Sequence, residues 1–421
     1  MSRGARHAGW LARCAASAAT TAALAQTPSP DPANDPQPAR HDGTVIRVAT
    51  FNVQDIRTAA LATGDHPRLK RLAEVLQRLR PNVVLLNEIA YDGPGAPGAT
   101  EPHGQNGQRF AEKYLAVPQA EGLRPLSMRV FMAPVNTGIP SGLDLDRNGR
   151  VVTAFPPLGS SAGPGAPAEP TPEGREFGGD CWGFGTFPGQ YGMALLVDER
   201  LEIRADAART FRLFPWSYMD GPLMPTTADG TTCWWPGATW SLLRLSSKSH
   251  WDVPVRLPTG QAVHFLCSHP TPPVFDGEEK RNAKRNHDEI RFWADYLEGA
   301  GYIVDDVSKG GGLPRDASFV ILGDLNADPE KGQSLRNPIG VQLCGSPRVN
   351  CAIVPRSDVE VPGLSPTDTA FFKLRVDYVL PSRDLGVAAA GVWRHPPEGS
   401  GGEFPSDHFP VWMDLLVPAG R

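Results

Sequence analysis

Several apolar runs in this chain end on residues that packing alone does not ask for. Asn52 closes RVATFN, Glu88 closes VVLLNE, His269 closes HFLCSH, and Asp324 and Asn326 close ILGDLN. Asp377 stands inside RVDYVL, and Asp407 and His408 precede the run PVWMDLL. Residues two apart in a strand point to the same face, so Asp324 and Asn326 address one space. Carboxylates gathered in one place repel each other unless a cation sits between them. Oxygen donors without thiolates suit a hard divalent ion such as Mg2+, Mn2+ or Ca2+. Histidines, with an ordinary pKa of ~6.5, exchange protons near neutral pH. Each residue alone also reads as a turn former, a loop cap or a surface histidine. The joint pattern is what points to acid–base chemistry beside a metal.

Such residues need rigid elements to aim them. TVIRVATFNV, from Thr44, is β-branched and strand-like, and PNVVLLNEI is a second apolar strand. Between them, Leu69, Leu72, Leu76 and Leu79 share one helical face, with Pro67 near the first turn and Pro81 as a stop. Strand, helix, strand in this order predicts a βαβ unit and an α/β core. Further strands are expected at 191–198, 262–268, 318–325, 375–381 and 410–416. A second helix is expected from Glu278 to Leu297, with Ile290, Trp293, Ala294 and Leu297 toward a core. No repeat of fixed period is present, and 44–418 reads as one domain.

The 421 residues are 40% hydrophobic and 21% charged, ordinary values for a chain with a sizeable core. Many of the 44 Gly and 43 Pro cluster in 90–108 and 156–180, which predicts long surface loops. Residues 1–25 have the pattern of a signal peptide, with Arg3 and Arg6 ahead of a weakly apolar run ending in Ala23-Leu24-Ala25. The run is too short to span a bilayer, so export to the periplasm or the exterior is expected, with no transmembrane segment. Residues 26–43 are Pro-, Asp- and Asn-rich without apolar period, a disordered linker. Without Arg3, Arg6 and Arg13 the charge is 38 basic against 46 acidic residues, a net of −8. That balance disfavours a protein living on non-specific contacts to long nucleic acid. In an exported chain Cys344 could pair with Cys351 and Cys181 with Cys233, while Cys267 reads as a buried thiol.

Taken together, FNV, NEI, SHP, GDLNADP, RVDYVL and SDHFPV resemble the endonuclease/exonuclease/phosphatase family, the fold of deoxyribonuclease I, over roughly residues 45–416. The resemblance implies a four-layer α/β/β/α sandwich, two packed mixed β-sheets flanked by helices, here with long loop insertions. It implies a phosphoesterase using Mg2+ or Mn2+, with a phosphoester substrate, small or nucleic acid, and no protein partner. By position, Glu88 resembles the principal metal-ligand glutamate, Asn52 a metal or phosphate contact, and Asp407 a metal-proximal acid. His269 resembles the first catalytic histidine, a general acid or phosphate-oxygen donor. Asp324 matches the acid that orients or deprotonates water, and Asn326 the amide that holds phosphate. Asp377 matches the carboxylate behind the second histidine, His408. One departure is plain: where some members carry an acid two residues after the first Asn, this chain has Gln54, then Asp55.

Other signals stay open. DLDRNG at 144–149 matches the first half of a calcium loop, with Asp144, Asp146 and Asn148 as ligands of a structural Ca2+, but Phe155 stands where Glu would close an EF-hand. A turn without metal accounts for it equally. Arg285 and Asn286 could contact the substrate, Arg285 taking a phosphate bidentately; alternatively Arg285 pairs with Glu289 one turn on, and Asn286 shares the core-facing side of its helix. The tryptophans at 182, 216, 234 and 235 read as packing mass ahead of stacking platforms. The alternatives to a phosphoesterase of small substrates are a secreted nuclease and a non-catalytic binding protein on the same scaffold.

Overall fold

The first strand, β1 (Gly43–Ile56), explains most of the architecture through its two faces. Ile46 and Val48 point into one apolar layer, and Ala49, Phe51 and Val53 into another. A strand buried on both faces reads as a continuous apolar run, and that is why its sequence does not alternate. The helix Pro67–Leu79 lies on the second face, with Leu69, Leu72, Val75, Leu76 and Leu79 buried there. Pro67 opens this helix, and Arg80 closes it in the left-handed conformation. The chain then re-enters the sheet as β2 (Val83–Ile89), parallel to β1. Parallel pairing requires such a crossover.

The remaining strands are β3 (Met128–Phe131), β4 (Met193–Asp198), β5 (Glu202–Ile203), β6 (Arg209–Thr210), β7 (His250–Arg256), β8 (Ala262–Ser268), β9 (Ser318–Asp324), β10 (Asp377–Pro381), β11 (Gly386–Val392) and β12 (Val411–Pro418). One sheet runs β11-β12-β1-β2-β4-β3 and the other β10-β9-β8-β7-β5, with β6 also on β7. The computed structural model describes residues 43–158 and 169–418. The expected signal peptide at 1–25 and the linker at 26–43, except Gly43, lie outside the described residues.

The second sheet repeats the logic of the first. β8 and β9 are parallel and are joined by the helix Arg281–Glu298. Val320 and Leu322 of β9 face the first sheet, while Phe319 and Ile321 face Ile290, Trp293 and Leu297 of that helix. Trp293 is fully buried and donates its indole N–H to Ser268 Oγ at 2.9 Å, so truncation to alanine would cost about 3–5 kcal/mol. The order of layers is helix, mixed sheet, mixed sheet, helix, as expected for the sandwich. The second helix starts at Arg281, three residues later than expected from its sequence. The Asp276 carboxylate accepts from Asn282 and Ala283 N–H and sets the start.

Strand polarity brings the chemistry-bearing ends together. Asn52 and Glu88 lie late in parallel strands, and His269 and Asp324 end the other parallel pair. Asp377 opens β10 directly opposite Asp324, and His408 precedes β12, which runs antiparallel to β1. All of these point to one edge of the two sheets. Gly323, at φ +145°, sits where a Cβ would meet Ser268 O at 1.9 Å, so this close approach of strands requires glycine.

Candidate active site

Asp324 is at the centre. Its carboxylate Oδ2 accepts from Asn52 Nδ2 at 3.0 Å, with His269 Nε2 at 3.4 Å and His408 Nε2 at 3.8 Å. Asn52 Nδ2 also donates to Glu88 Oε1 at 3.1 Å, so one amide ties the two carboxylates together. Behind His408, Asp377 Oδ2 meets its Nδ1 at 2.9 Å, and Thr369 Oγ1 donates to the same oxygen at 2.7 Å. Asp324, Asp377 and His408 bring their polar atoms within 4.8 Å of one another, and all three are buried. An acid behind an imidazole fixes its orientation and favours its charged form.

The sequence-expected residues therefore gather, with two exceptions. Asn326 sits beside the centre in the left-handed conformation, its N–H on Asp324 Oδ1 at 2.9 Å and its amide on Pro270 O at 3.1 Å. Asp407 is half-buried, and its charge bears on Glu88. Arg285 is engaged elsewhere: its guanidinium donates to the main-chain carbonyls of Leu245, Trp182, Arg244 and Ser246. Asn286 donates to Thr271 O at 2.9 Å and Leu325 O at 3.0 Å, which fastens the loops after His269 and Asp324 to each other. Both expected substrate contacts thus brace main chain. The pairing of Arg285 with Glu289 is absent as well, because the Glu289 carboxylate accepts from Ser247 N and Thr271 N, each at 2.6 Å.

The Gln54–Asp55 departure has a structural counterpart. The β1–β2 register slips between Asn52 and Ile56, and Gln54 and Asp55 both adopt positive φ. This bulge turns Asp55 N–H onto Glu88 Oε2 at 3.1 Å. Asp55 Oδ2 is held by Arg57 Nε and Gln190 Nε2, and its buried Oδ1 has no protein partner.

Electrostatics separate the titratable groups. Burial, then repulsion from Asp407, pushes the Glu88 carboxyl up to about 7. Burial, helped by the Lys248 ammonium, lowers His269 to about 4, which leaves it neutral, and its Nδ1 has no protein partner. His408 goes the other way: burial opposes its charge, but Asp377 and Asp324 outweigh burial and hold it well above the usual imidazole range. Burial also opposes ionisation of Asp324, yet His408 and His269 bring it below the usual carboxylate range. Burial lifts Asp377 to about 6. Glu88 and Asp407 are carboxylates whose charges repel, and this oxygen-donor chemistry suits a divalent cation, which would relieve the repulsion that helps raise Glu88.

Several positioning groups lie outside the strand-end pattern of the sequence. Asn87, in the middle of β2, accepts from Asp324 N and Thr50 Oγ1, and so joins the sheets beneath the site. An amide inside VVLLNE was the visible cue. Ser406 donates to Asn52 O at 2.7 Å, and Thr369 comes from the loop eight residues before Asp377. Away from the site, Asp144 and Asp146 gather with Asp180, from a loop far along the chain, and the Asn148 amide donates to Asp146 Oδ2 at 3.1 Å. Asn148 N–H also caps Asp144 and Asp146, while Asp180 accepts from Leu145 N and Val152 N. Trp216 and Trp235 are buried as packing mass.

The chain matches the sequence model of the Endonuclease/Exonuclease/phosphatase family over residues 49–408. It belongs to that family. No curated protein matches it by sequence. Among solved structures it is similar to an endonuclease/exonuclease/phosphatase from Beutenbergia cavernae, at 18% identity and TM-score 0.47, covering 89% of this chain and 72% of that one. A family protein from Bacteroides thetaiotaomicron gives 12% identity and TM-score 0.45, covering 89% and 95%. D. rerio TDP2 complexed with single-strand DNA product gives 12% and 0.44, covering 89% and 100%. Family members act on phosphoester bonds. Among the described residues no helix is long and apolar enough to cross a membrane.

Proposed function

We propose that this chain is an exported, divalent-metal-dependent phosphoesterase that hydrolyses its substrate by in-line attack of water. The observation that carries the reading is the convergence of Asn52, His269 and His408 on the one carboxylate of Asp324, with Asp377 behind His408. Glu88 and Asp407, with Asn52 beside them, would hold Mg2+ or Mn2+, which supplies charge stabilisation to the phosphoryl group. Asp324 stays ionised and buried, suited to orient the attacking water and draw on its proton. Asn326 and neutral His269, with its free Nδ1, offer hydrogen bonds to phosphoryl oxygens. Charged His408 faces the same space and can protonate the leaving oxygen, with Asp377 holding its tautomer.

The acidic net charge of the chain favours a small or membrane-derived phosphorylated substrate over long duplex DNA. Export rests on the composition of residues 1–25. The test is a panel with Mg2+, Mn2+ and Ca2+ compared: p-nitrophenyl phosphate, bis(p-nitrophenyl) phosphate, plasmid and RNA. Metal-dependent turnover of the small esters above that of plasmid and RNA is expected. Rapid digestion of plasmid or RNA moves the reading to a nuclease, and inertness toward every substrate with every metal overturns it.

A further inference from the structure

One cation faces this site that none of the motifs contains. Lys248 precedes β7, and the pairing of His250 with Ser268 carries it alongside Pro270, next to His269. It is 5% exposed. Among the described residues its ammonium reaches one acceptor, Pro270 O, at 3.4 Å, and no carboxylate oxygen lies within 4.0 Å. A buried ammonium has three N–H groups to satisfy, and leaving two without a partner is costly. Burial accordingly lowers its pKa, while the more distant Glu289, Glu88 and Asp324 favour its charge.

The surroundings hold this cation in place without neutralising it. Glu289, fully buried, accepts from Ser247 N just before Lys248 and from Thr271 N just after Pro270. The one helix carboxylate thereby fixes the two segments that carry Lys248 and His269. Asn326 donates its amide to Pro270 O, the same oxygen that Lys248 contacts. Lys248, His269 and Asn326 thus form a donor side of the site, opposite in charge to Glu88 and Asp407.

We propose that Lys248 is a further catalytic residue, its ammonium taking a non-bridging oxygen of the bound phosphate. The inference rests on the phosphoesterase reading and adds to it a third donor, and the only charged one, on the side away from the acidic ligands. A plain brace on Pro270 O accounts poorly for a lysine here, since a neutral donor would make that bond without burying a charge.

The test measures inorganic phosphate binding by calorimetry to the Mn2+-loaded full chain, with kcat/KM on bis(p-nitrophenyl) phosphate and thermal unfolding alongside. A charged hydrogen bond in a dry site corresponds to roughly 10- to 150-fold in binding. Lys248→Met should weaken phosphate by at least about tenfold and lower kcat/KM by about a hundredfold, with Tm unchanged or raised, because an under-satisfied charge is removed. Lys248→Gln, which keeps a donor, is the second variant and should show the same loss of phosphate. Phosphate affinity within about twofold of wild type in either folded variant overturns the proposal, as does a lowered Tm with unchanged phosphate affinity, the mark of a brace. If wild type turns over the diester while Lys248→Met binds phosphate equally, only this inference falls; if wild type binds no phosphate and turns over no ester of the panel, both fall.

Discussion

Replacing Glu88 by glutamine should have opposite effects on stability with and without metal. In the metal-free chain the Glu88 carboxyl stands at about 7 against an ordinary 4.5, through burial and the charge of Asp407. Each pH unit of displacement is worth about 1.4 kcal/mol, so ionising Glu88 in the folded state costs at most about 3 kcal/mol. Its slight exposure reduces that to about 1–2 kcal/mol. The sign follows from proton binding. The folded chain holds the Glu88 proton more tightly than the unfolded chain, so this group lowers stability as pH rises from 4.5 to about 7. Glu88→Gln removes the penalty and should raise the metal-free Tm at pH 8 by about 1–3 °C, with a smaller gain at pH 5.5. Metal reverses the order. Saturation at a hundred times Kd adds about 2.7 kcal/mol to wild type, and the glutamine variant should lose most of that gain. Scanning calorimetry in EDTA and in Mn2+, at both pH values, reads all four quantities. A variant that is less stable than wild type in EDTA at pH 8, or that keeps the full metal-induced shift, refutes the assignment of Glu88 as a strained metal ligand.

Three further outcomes are expected. Apparent Mn2+ affinity should rise about tenfold per pH unit below about 7 and flatten above it, as the Glu88 proton is displaced; a titration flat from pH 5.5 to 8 contradicts this. Asn286→Ala should lower stability by about 2 kcal/mol and reduce kcat more than it raises KM, because it frees Thr271 O and Leu325 O; a raised KM at unchanged Tm would return Asn286 to substrate contact. Replacing both Cys344 and Cys351 by serine should cost about 2 kcal/mol by opening a short loop, with kcat unchanged on the chromogenic diester.

The strands legible in the sequence are those with at least one continuous buried face. β1, β2, β4, β8, β9 and β10 read as largely apolar runs because a helix covers one side and a sheet the other, while β12 alternates, with Val411, Met413, Leu415 and Val417 buried and Trp412 and Asp414 half-buried. β7 escaped notice, since HWDVPVR carries His250, Asp252 and Pro254 within the strand. β11 is an edge strand of small, largely exposed residues, and β3, β5 and β6 are short segments ordered by their partners. Strand-end polarity singled out Asn52, Glu88, His269, Asp324, Asn326 and His408, which the fold brings to one edge of the sheets. Arg285 and Asn286 showed the limit of that logic, because a helix face does not reveal which buried main-chain carbonyls it will meet. Cysteine spacing behaved similarly. Cys344 and Cys351 pair as expected with Cα atoms 5.5 Å apart, but Cys181 and Cys233 are unpaired, and Cys181 Sγ donates to Phe177 O instead. Only the fold brings Lys248 and Thr369 to the site.

The central claim is that water, aligned by Asp324, attacks phosphorus with the help of a bound metal. Hydrolysis of bis(p-nitrophenyl) phosphate in H2(18)O, followed by mass spectrometry of the product, tests it directly. One 18O atom per p-nitrophenyl phosphate released is predicted with Mn2+, with release abolished by EDTA and lowered at least about a hundredfold in Asp324→Asn and His408→Ala. Unlabelled phosphate product, or labelled product formed at the wild-type rate by either variant, would contradict the account.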